Sequence, residues 1–590
     1  MKIEQQSIES TIKEIKKAEA EKEVEIAVEK FETEAVAEAI ESEDIFNKFD
    51  EKLKTISEIE KLIEEIEINS EVKERKERKE KIIRYLNEIY DAAGKYEMVY
   101  SYLIPVGKKD KEKKDEYRTF DEEIDEMNKN RNNSEYNFEI NYPKLDKDLS
   151  FVPEIKENGE QKVDLISDMK KIEEIEERLN GEKDEYAKKI PLKTLKIFKA
   201  KINILIKAKE GDKLGVFNSS TKAYNDINDQ LVEIAERGKN QRIEFLKNKA
   251  ENEENKSEME KLLENKKFNA QEIKAFFDIA IDKADLRDFD KDTKVEVVID
   301  EEVKSIDVRY SDPDYDHPVV LIPSNREVNG VKLLKLTEHE IICHLTANYY
   351  GHDLGLKGLS IGDWEDLHEG VAILNENRIM KKIFGEDYKL PEIQALPYYV
   401  LAMNKAKELI YKEIKNKINL EIKEKIKKLS KEGKNQKAIN EDVDSLIKKR
   451  SKEIAIENID IGEIYDYVYG LRKEEYLAEK HGKKNIEDLN AGEIEEVEKE
   501  ADKKTKAILK RIFRGHYPYY FSKDKSYLEG EIIAKLMEES ETDKYPTQSK
   551  VDPKMISDLI KAGVYIKSYT YKKGLKAAKD VVERMWKDNI

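Results

Sequence analysis

The chain reads as an α+β protein, predominantly α-helical, with a small sheet flanking two of its helices and long helical-hairpin extensions. Three observations predict this. Charged residues make up 41% of the 590 residues while Gly (23) and Pro (12) are scarce, and mean hydropathy is -0.80, a composition of long solvated helices. Ile, Leu, Phe and Tyr punctuate the charged stretches at helical spacing, as a packed chain does and a disordered one does not. Between about 294 and 323 the period shortens to strand spacing.

Taken in order, residues 3 to 92 carry a helical pattern in which Phe49, Leu53, Ile56, Ile59, Ile63 and Ile66 recur at steps of three and four, one face of a packed helix. Residues 1–105 are therefore expected to form a coiled-coil-like appendage, a site for a protein partner or self-association. Residues 106–162, with Lys/Asp runs and Asn130-Arg131-Asn132-Asn133, are expected to be a linker or extended segment. The rest, 163–590, is expected to be one further domain.

Within it, helical patterning runs from Val163 to about Asp285, with breaks expected at Gly211-Asp212 and at Asn218-Ser219-Ser220. Strands are predicted at Lys294–Ile299, Ile306–Tyr310 and Val319–Pro323. Asn329-Gly330 then marks a stop, a helix is predicted over Val331–Tyr350, a Gly-rich loop follows to Gly362, and another helix starts near Asp363. Residues 393 to 513 read as almost wholly helical, with an insertion at about 393–500. Its Lys-rich stretch with Ile414, Ile418, Ile422 and Ile426 four apart is better explained as a packed hairpin than as a nucleic-acid arm.

Lys and Arg number 110 against 129 Asp and Glu, a net charge of -19, which argues against general affinity for nucleic acid or anionic membrane. A single cysteine, Cys343, leaves no intrachain disulfide and no Cys-based zinc finger. With no apolar leader and no run of membrane-spanning length, a cytoplasmic protein is expected.

Four of the seven histidines, His339, His344, His352 and His368, fall within thirty residues. His339-Glu340-Ile341-Ile342-Cys343-His344, with Glu369-Gly370 following, gathers what a catalytic zinc requires: imidazoles, carboxylates and a base for water. The two histidines are five apart. On an ideal α-helix that leaves them about 140° apart, whereas four apart leaves about 40°; a local π-bulge would return them to one face. Each part also has a plain structural reading. Thr337-x-x-Glu340 fits a capping box, His344 fits a core histidine, and Glu369 fits the first turn of a helix.

The run Ile322-Pro323-Ser324-Asn325-Arg326, Lys332–Leu336, His339–Leu345 and Glu369-Gly370-Val371-Ala372-Ile373-Leu374-Asn375-Glu376 resembles the tubulin tyrosine carboxypeptidase (MATCAP-type) family, whose bacterial members are called QEGLA-motif proteins. Arg511–Gly515 and Phe521–Gly530 resemble its C-terminal block in the same order, so the likeness spans roughly residues 165 to 545. The sequence departs from the family pattern at Ile342-Cys343, Ala347 and His368.

The resemblance implies a zinc metallopeptidase in which His339, His344 and Glu369 bind Zn2+ and Glu340 is the base. It further implies a carboxypeptidase removing a C-terminal residue, aromatic or acidic, from a peptide or protein. Such an enzyme needs a cation for the terminal carboxylate, for which Arg514, Arg326 and Lys523 are the candidates, and Tyr527 is a candidate to stabilise the oxyanion. A zinc endopeptidase, and a helical scaffold with a structural or degenerate metal site, remain the alternatives.

Overall fold

The computed structural model describes residues 73–539 apart from short interruptions, the longest at 110–116, 143–163, 249–257, 310–317 and 385–395, together with 550–551 and 559. The fold is α+β and predominantly helical. The Phe49–Ile66 pattern lies outside the described residues, as do His317 and the side chain of His352.

The first helices are α1 (Lys73–Ala93), α2 (Phe120–Lys129), α3 (Leu165–Gly181), α4 (Glu185–Lys209), α5 (Lys213–Tyr224) and α6 (Asp229–Lys247). Asp164, Asp184, Asp212 and Asn228 cap α3 to α6, each side chain accepting backbone N–H groups of the first turn, which would otherwise have no partner. Apolar faces of α1, α3 and α4 close on one another through Tyr85, Ile89, Ile172, Ile175, Leu195, Phe198 and Leu205. The described end of the expected appendage thus shares a core with chain beyond the expected linker.

Two expectations are corrected here. The stretch 106–162 contains α2, whose Thr119 and Glu122 form a reciprocal capping box and whose Phe120, Ile124 and Met127 are buried. Asn218–Ser220 lies inside α5, where Ser220 Oγ returns a hydrogen bond to the Phe217 carbonyl. The chain breaks instead at Asn225, which adopts φ 59°.

The small sheet forms as expected. Its strands are β1 (Lys267–Asn269), β2 (Glu296–Asp300), β3 (Asp307–Arg309), β4 (Val319–Pro323) and β5 (Glu327–Asn329). β4 is central, parallel to β2 with Glu296 opposite Val319, and antiparallel to β3. All five β4 residues are buried, as a strand covered on both faces requires. β1 and β5 form a separate antiparallel pair that sequence patterning did not predict. Between them runs α7 (Ala270–Lys283), and its Phe277 and Ile281 pack with Val320, Ile322, Leu333, Leu334, Ile341, Ile342 and Leu345. The sheet is thereby fixed to the helix that bears the two histidines.

That helix comprises α8 (Gly330–Leu336), a π-helical segment (Thr337–Leu345) and α9 (Thr346–Asp353). It is followed by α10 (Glu365–Phe384), α11 (Tyr398–Lys417), α12 (Asn419–Lys431), α13 (Gln436–Arg450), α14 (Ile461–His481), α15 (Ala491–Ile512) and α16 (Ser526–Glu539). Two helices of the expected insertion belong to the core: Leu401, Leu409 and Ile410 of α11 and Ile464 and Val468 of α14 pack with Ile508 and Ile512 of α15 and with Phe513, Tyr517, Tyr519, Tyr520 and Leu528, whereas α12 and α13 are mostly exposed. The isoleucine row runs outward, from fully buried Ile414 to Ile426 at 38% exposure. No helix among the described residues is long and apolar enough to cross a membrane.

α10 crosses α16 at glycine. A Cβ built on Gly370 would lie 1.9 Å from the carbonyl carbon and oxygen of Gly530 and 2.4 Å from the Glu531 nitrogen. Backbone meets backbone there, and no side chain can rotate away to make room. By contrast Gly470, within α14, has nothing within 4 Å of its would-be Cβ.

Two outcomes follow from this packing. In urea unfolding, Gly370→Ala should lose about 1–3 kcal/mol by overpacking, while Gly470→Ala should gain about 0.5–1 kcal/mol from helix propensity. His516 packs edge-on to Tyr142 at 4.6 Å, and burial, partly offset by the Ala208 carbonyl, pushes its imidazole down from 6.5 to about 4. Between those values the unfolded chain binds more protons than the folded one. Stability should therefore be fully present above pH 6.5 and fall by up to roughly 3 kcal/mol as pH drops toward 4. His516→Asn should flatten that part of the profile.

Candidate metal centre

The π segment decides the site. Asn329 caps the helix by accepting the Lys332 N–H, so the helix starts well before Thr337. Thr337 Oγ1 donates to the Leu333 carbonyl and is no N-cap, which removes the capping-box reading of Glu340. Five residues per hydrogen-bonded turn stack residues five apart, where an α-turn stacks residues four apart. Thr346 Oγ1 supports the widened turn by donating to the Ile341 carbonyl at 3.2 Å. The His339 and His344 rings consequently stand 4.7 Å apart, at 84° to each other.

α10 packs against the π segment and presents Glu369 to both rings. His339 Nε2 lies 3.4 Å from one carboxylate oxygen and His344 Nε2 lies 3.9 Å from the other. One atom from each of the three residues falls within 4.8 Å of the others. Tetrahedral coordination with bonds of about 2.0–2.1 Å sets ligand atoms about 3.3 Å apart, close to the shorter of these separations. The three residues fit a small divalent ion.

The remaining ring nitrogens are held from outside. His339 Nδ1 lies 2.9 Å from Glu376 Oε1, and His344 Nδ1 lies 2.9 Å from His368 Nδ1. Anchoring Nδ1 leaves Nε2 as the atom facing Glu369, the arrangement in which outer partners fix the orientation of metal-binding imidazoles. Glu376, two helical turns beyond Glu369 on the same face of α10, was not singled out for this role from sequence. Its spacing of seven residues is the signal that could have found it. His368 is 2% exposed and is thus no surface residue. A second group, Cys343, His344 and His368, also has ligand atoms within 4.8 Å.

Electrostatics favour a cation. Burial alone would raise the Glu369 carboxyl, but the His339 hydrogen bond and the charges of His344, His339 and Lys523 hold it well below the usual carboxylate range. Burial likewise works against protonated His339, and Glu369 and Glu376 nonetheless hold it well above its ordinary value. Burial pushes Glu340 up to about 7, with Glu369 and Asp307 adding to the effect and His339 and Lys332 opposing it. Burial and Glu376 push Glu338 up to about 8, and its Oε1 has no hydrogen-bond partner. Glu369 thus stays ionised between two imidazoles, a charge toward which a cation is drawn.

The other expected residues are distributed as follows. Lys523 is 8% exposed, its charge acts on Glu369, and its ammonium lies 5.7 Å from the Tyr527 ring centre. Tyr527 is half-buried and its hydroxyl accepts from Arg511 at 3.4 Å. Arg511 also binds Asp524 and lies 4.9 Å from the Tyr399 ring, so a guanidinium between two tyrosines fixes the turn that carries Lys523. Arg514 is part-buried in the turn closing α15. Arg326 lies in the turn between β4 and β5, with its Nε buried and without a hydrogen-bond partner, and no contact joins it to the three candidate ligands.

Compared with family models, curated proteins and solved structures, the chain finds no match in any of the three.

Proposed function

We propose that the chain is a zinc-dependent carboxypeptidase, with His339, His344 and Glu369 as metal ligands and Glu340 as general base. The observation that carries this reading is the convergence of His339 Nε2, His344 Nε2 and the Glu369 carboxylate, at 3.4 and 3.9 Å, with both Nδ1 atoms anchored behind them. Two nitrogens and one oxygen, with no fourth protein ligand in that group among the described residues, are the donor set of catalytic zinc sites. When bound, zinc supplies a Lewis acid that polarises the scissile carbonyl and acidifies water.

The protein's own groups supply the rest. Glu340, with its carboxyl poised near neutrality, takes a proton from the attacking water and returns it to the leaving amine. Glu376 and His368 keep the two imidazoles in the tautomer that offers Nε2 inward. Lys523 receives the substrate's terminal carboxylate, its low exposure strengthening a charge–charge contact that would be weak in open water. Tyr527, beside Lys523, donates to the developing oxyanion. The resemblance to the tubulin tyrosine carboxypeptidase family supports the same assignment and points to aromatic or acidic C-terminal residues.

The test is metal analysis joined to digestion of a peptide library, read by mass spectrometry. Single residues should be lost from free C-termini, and amidation of the same peptides should abolish cleavage; continued internal cleavage would instead mark an endopeptidase. Glu340→Gln should retain one zinc per chain while kcat falls about 10²–10⁴-fold. Loss of zinc from that variant would remove Glu340 from the role of base. Glu376→Gln should weaken zinc affinity about 10–100-fold, measured by chelator competition.

A further inference from the structure

Cys343 and His368 lie beside the proposed centre without contributing a ligand to it. Cys343 is fully buried and His368 is 2% exposed. The Cys343 sulfur stands 4.0 Å from His368 Nε2 and 3.8 Å from the His368 carbonyl, and His344 Nδ1 stands 2.9 Å from His368 Nδ1. His344 therefore faces two donor sets, with Nε2 toward Glu369 and Nδ1 toward His368.

We propose that Cys343, His344 and His368 form a second metal site, specific for a soft monovalent ion, copper(I). The donor set decides the ion. Thiolate with imidazole selects soft and borderline metals over oxygen-seeking ones, whereas the first set, with its carboxylate, is suited to zinc. Burial decides between the soft and borderline ions. Copper(I) is satisfied by three ligands, so it needs no water where almost no solvent reaches, and one positive charge on one thiolate leaves no net charge to bury.

One atom from each residue lies within 4.8 Å of the others. A trigonal site with bonds of about 2.0–2.3 Å needs ligand separations of about 3.5 Å, reached by a turn of the His368 ring and a shift of about an ångström. On binding to the zinc-free chain, the thiol proton leaves to solvent and the proton held between the two Nδ1 atoms moves to His344 Nε2, toward Glu369; with zinc on Nε2 as well, that proton also leaves to solvent and His344 bridges the two ions as an imidazolate. The ion arrives and remains as copper(I), so no electron is exchanged. The two sets share His344, which offers Nε2 to one and Nδ1 to the other.

The experiment is an anaerobic titration of the full chain with copper(I) against a chromophoric copper(I) chelator, with and without one equivalent of zinc. One copper(I) per chain is expected in both cases. Affinity should fall at least 100-fold in Cys343→Ser and in Cys343→Ala, two variants chosen so that one misfolded protein, detected by circular dichroism, does not decide the result. His368→Gln should weaken binding at least tenfold, whereas His339→Ala and Glu369→Gln should keep copper(I) while losing zinc. The proposal is overturned if the unmodified chain takes up no copper(I), if the folded Cys343 variants bind it as tightly as the parent, or if His339→Ala loses it. Failure of zinc to bind would sink the peptidase assignment and leave the copper(I) result readable.

Discussion

An α-helix cannot turn two side chains five residues apart toward one point, and everything at this site depends on the chain's departure from α-geometry between Thr337 and Leu345. The wider turn brings the His339 and His344 rings to 4.7 Å. π-Helical turns are poor structures in isolation, so this one has to be held by its surroundings. Thr346 occupies the Ile341 carbonyl from within the helix, and Ile341, Ile342 and Leu345 are clamped into the core shared with α7 and β4. The buried strand Val319–Pro323 and the convergence of the two histidines are thus two ends of one packing arrangement.

Charge completes what backbone geometry begins. Glu340, Glu369 and Glu376 act on His339 and Glu376 acts on Glu338, and the responses of Glu338, Glu340 and Glu369 differ because their partners differ. Glu369 faces His339, His344 and Lys523 and stays ionised. Glu340 and Glu338 have mainly burial and other carboxylates to contend with, and are driven toward the neutral form. A carboxylate that stays ionised thereby lies within electrostatic reach of an acid that exchanges protons near neutrality, the division of labour that the proposed hydrolysis would use.

Much of this could be read from residue order where the information is local. Strands β2 and β3 follow from apolar alternation and β4 from an unbroken apolar run, and the five-residue histidine spacing reaches one face through a π-bulge. Capping by Asn329 is likewise written in the chain, as is the Thr119–Glu122 box of α2, although Lys/Asp runs nearby obscured it. Longer-range facts were not legible. The pairing of β1 with β5 joins segments on either side of a whole sheet, and the contact of Gly370 with Gly530 joins two helices remote in sequence. Glu376 occupies the intermediate case, since its periodicity with Glu369 is visible while its bond to His339 Nδ1 depends on how α10 lies across the π segment.

The glycine crossing of α10 and α16 has a consequence for how the protein comes into being. During synthesis, the whole stretch from His339 to Glu376 leaves the ribosome long before Gly530 does. Until then α10 lacks the backbone of Gly530 against which Gly370 packs. Any ion held jointly by His339, His344 and Glu369 would therefore find its three residues in place only once α16 has been made.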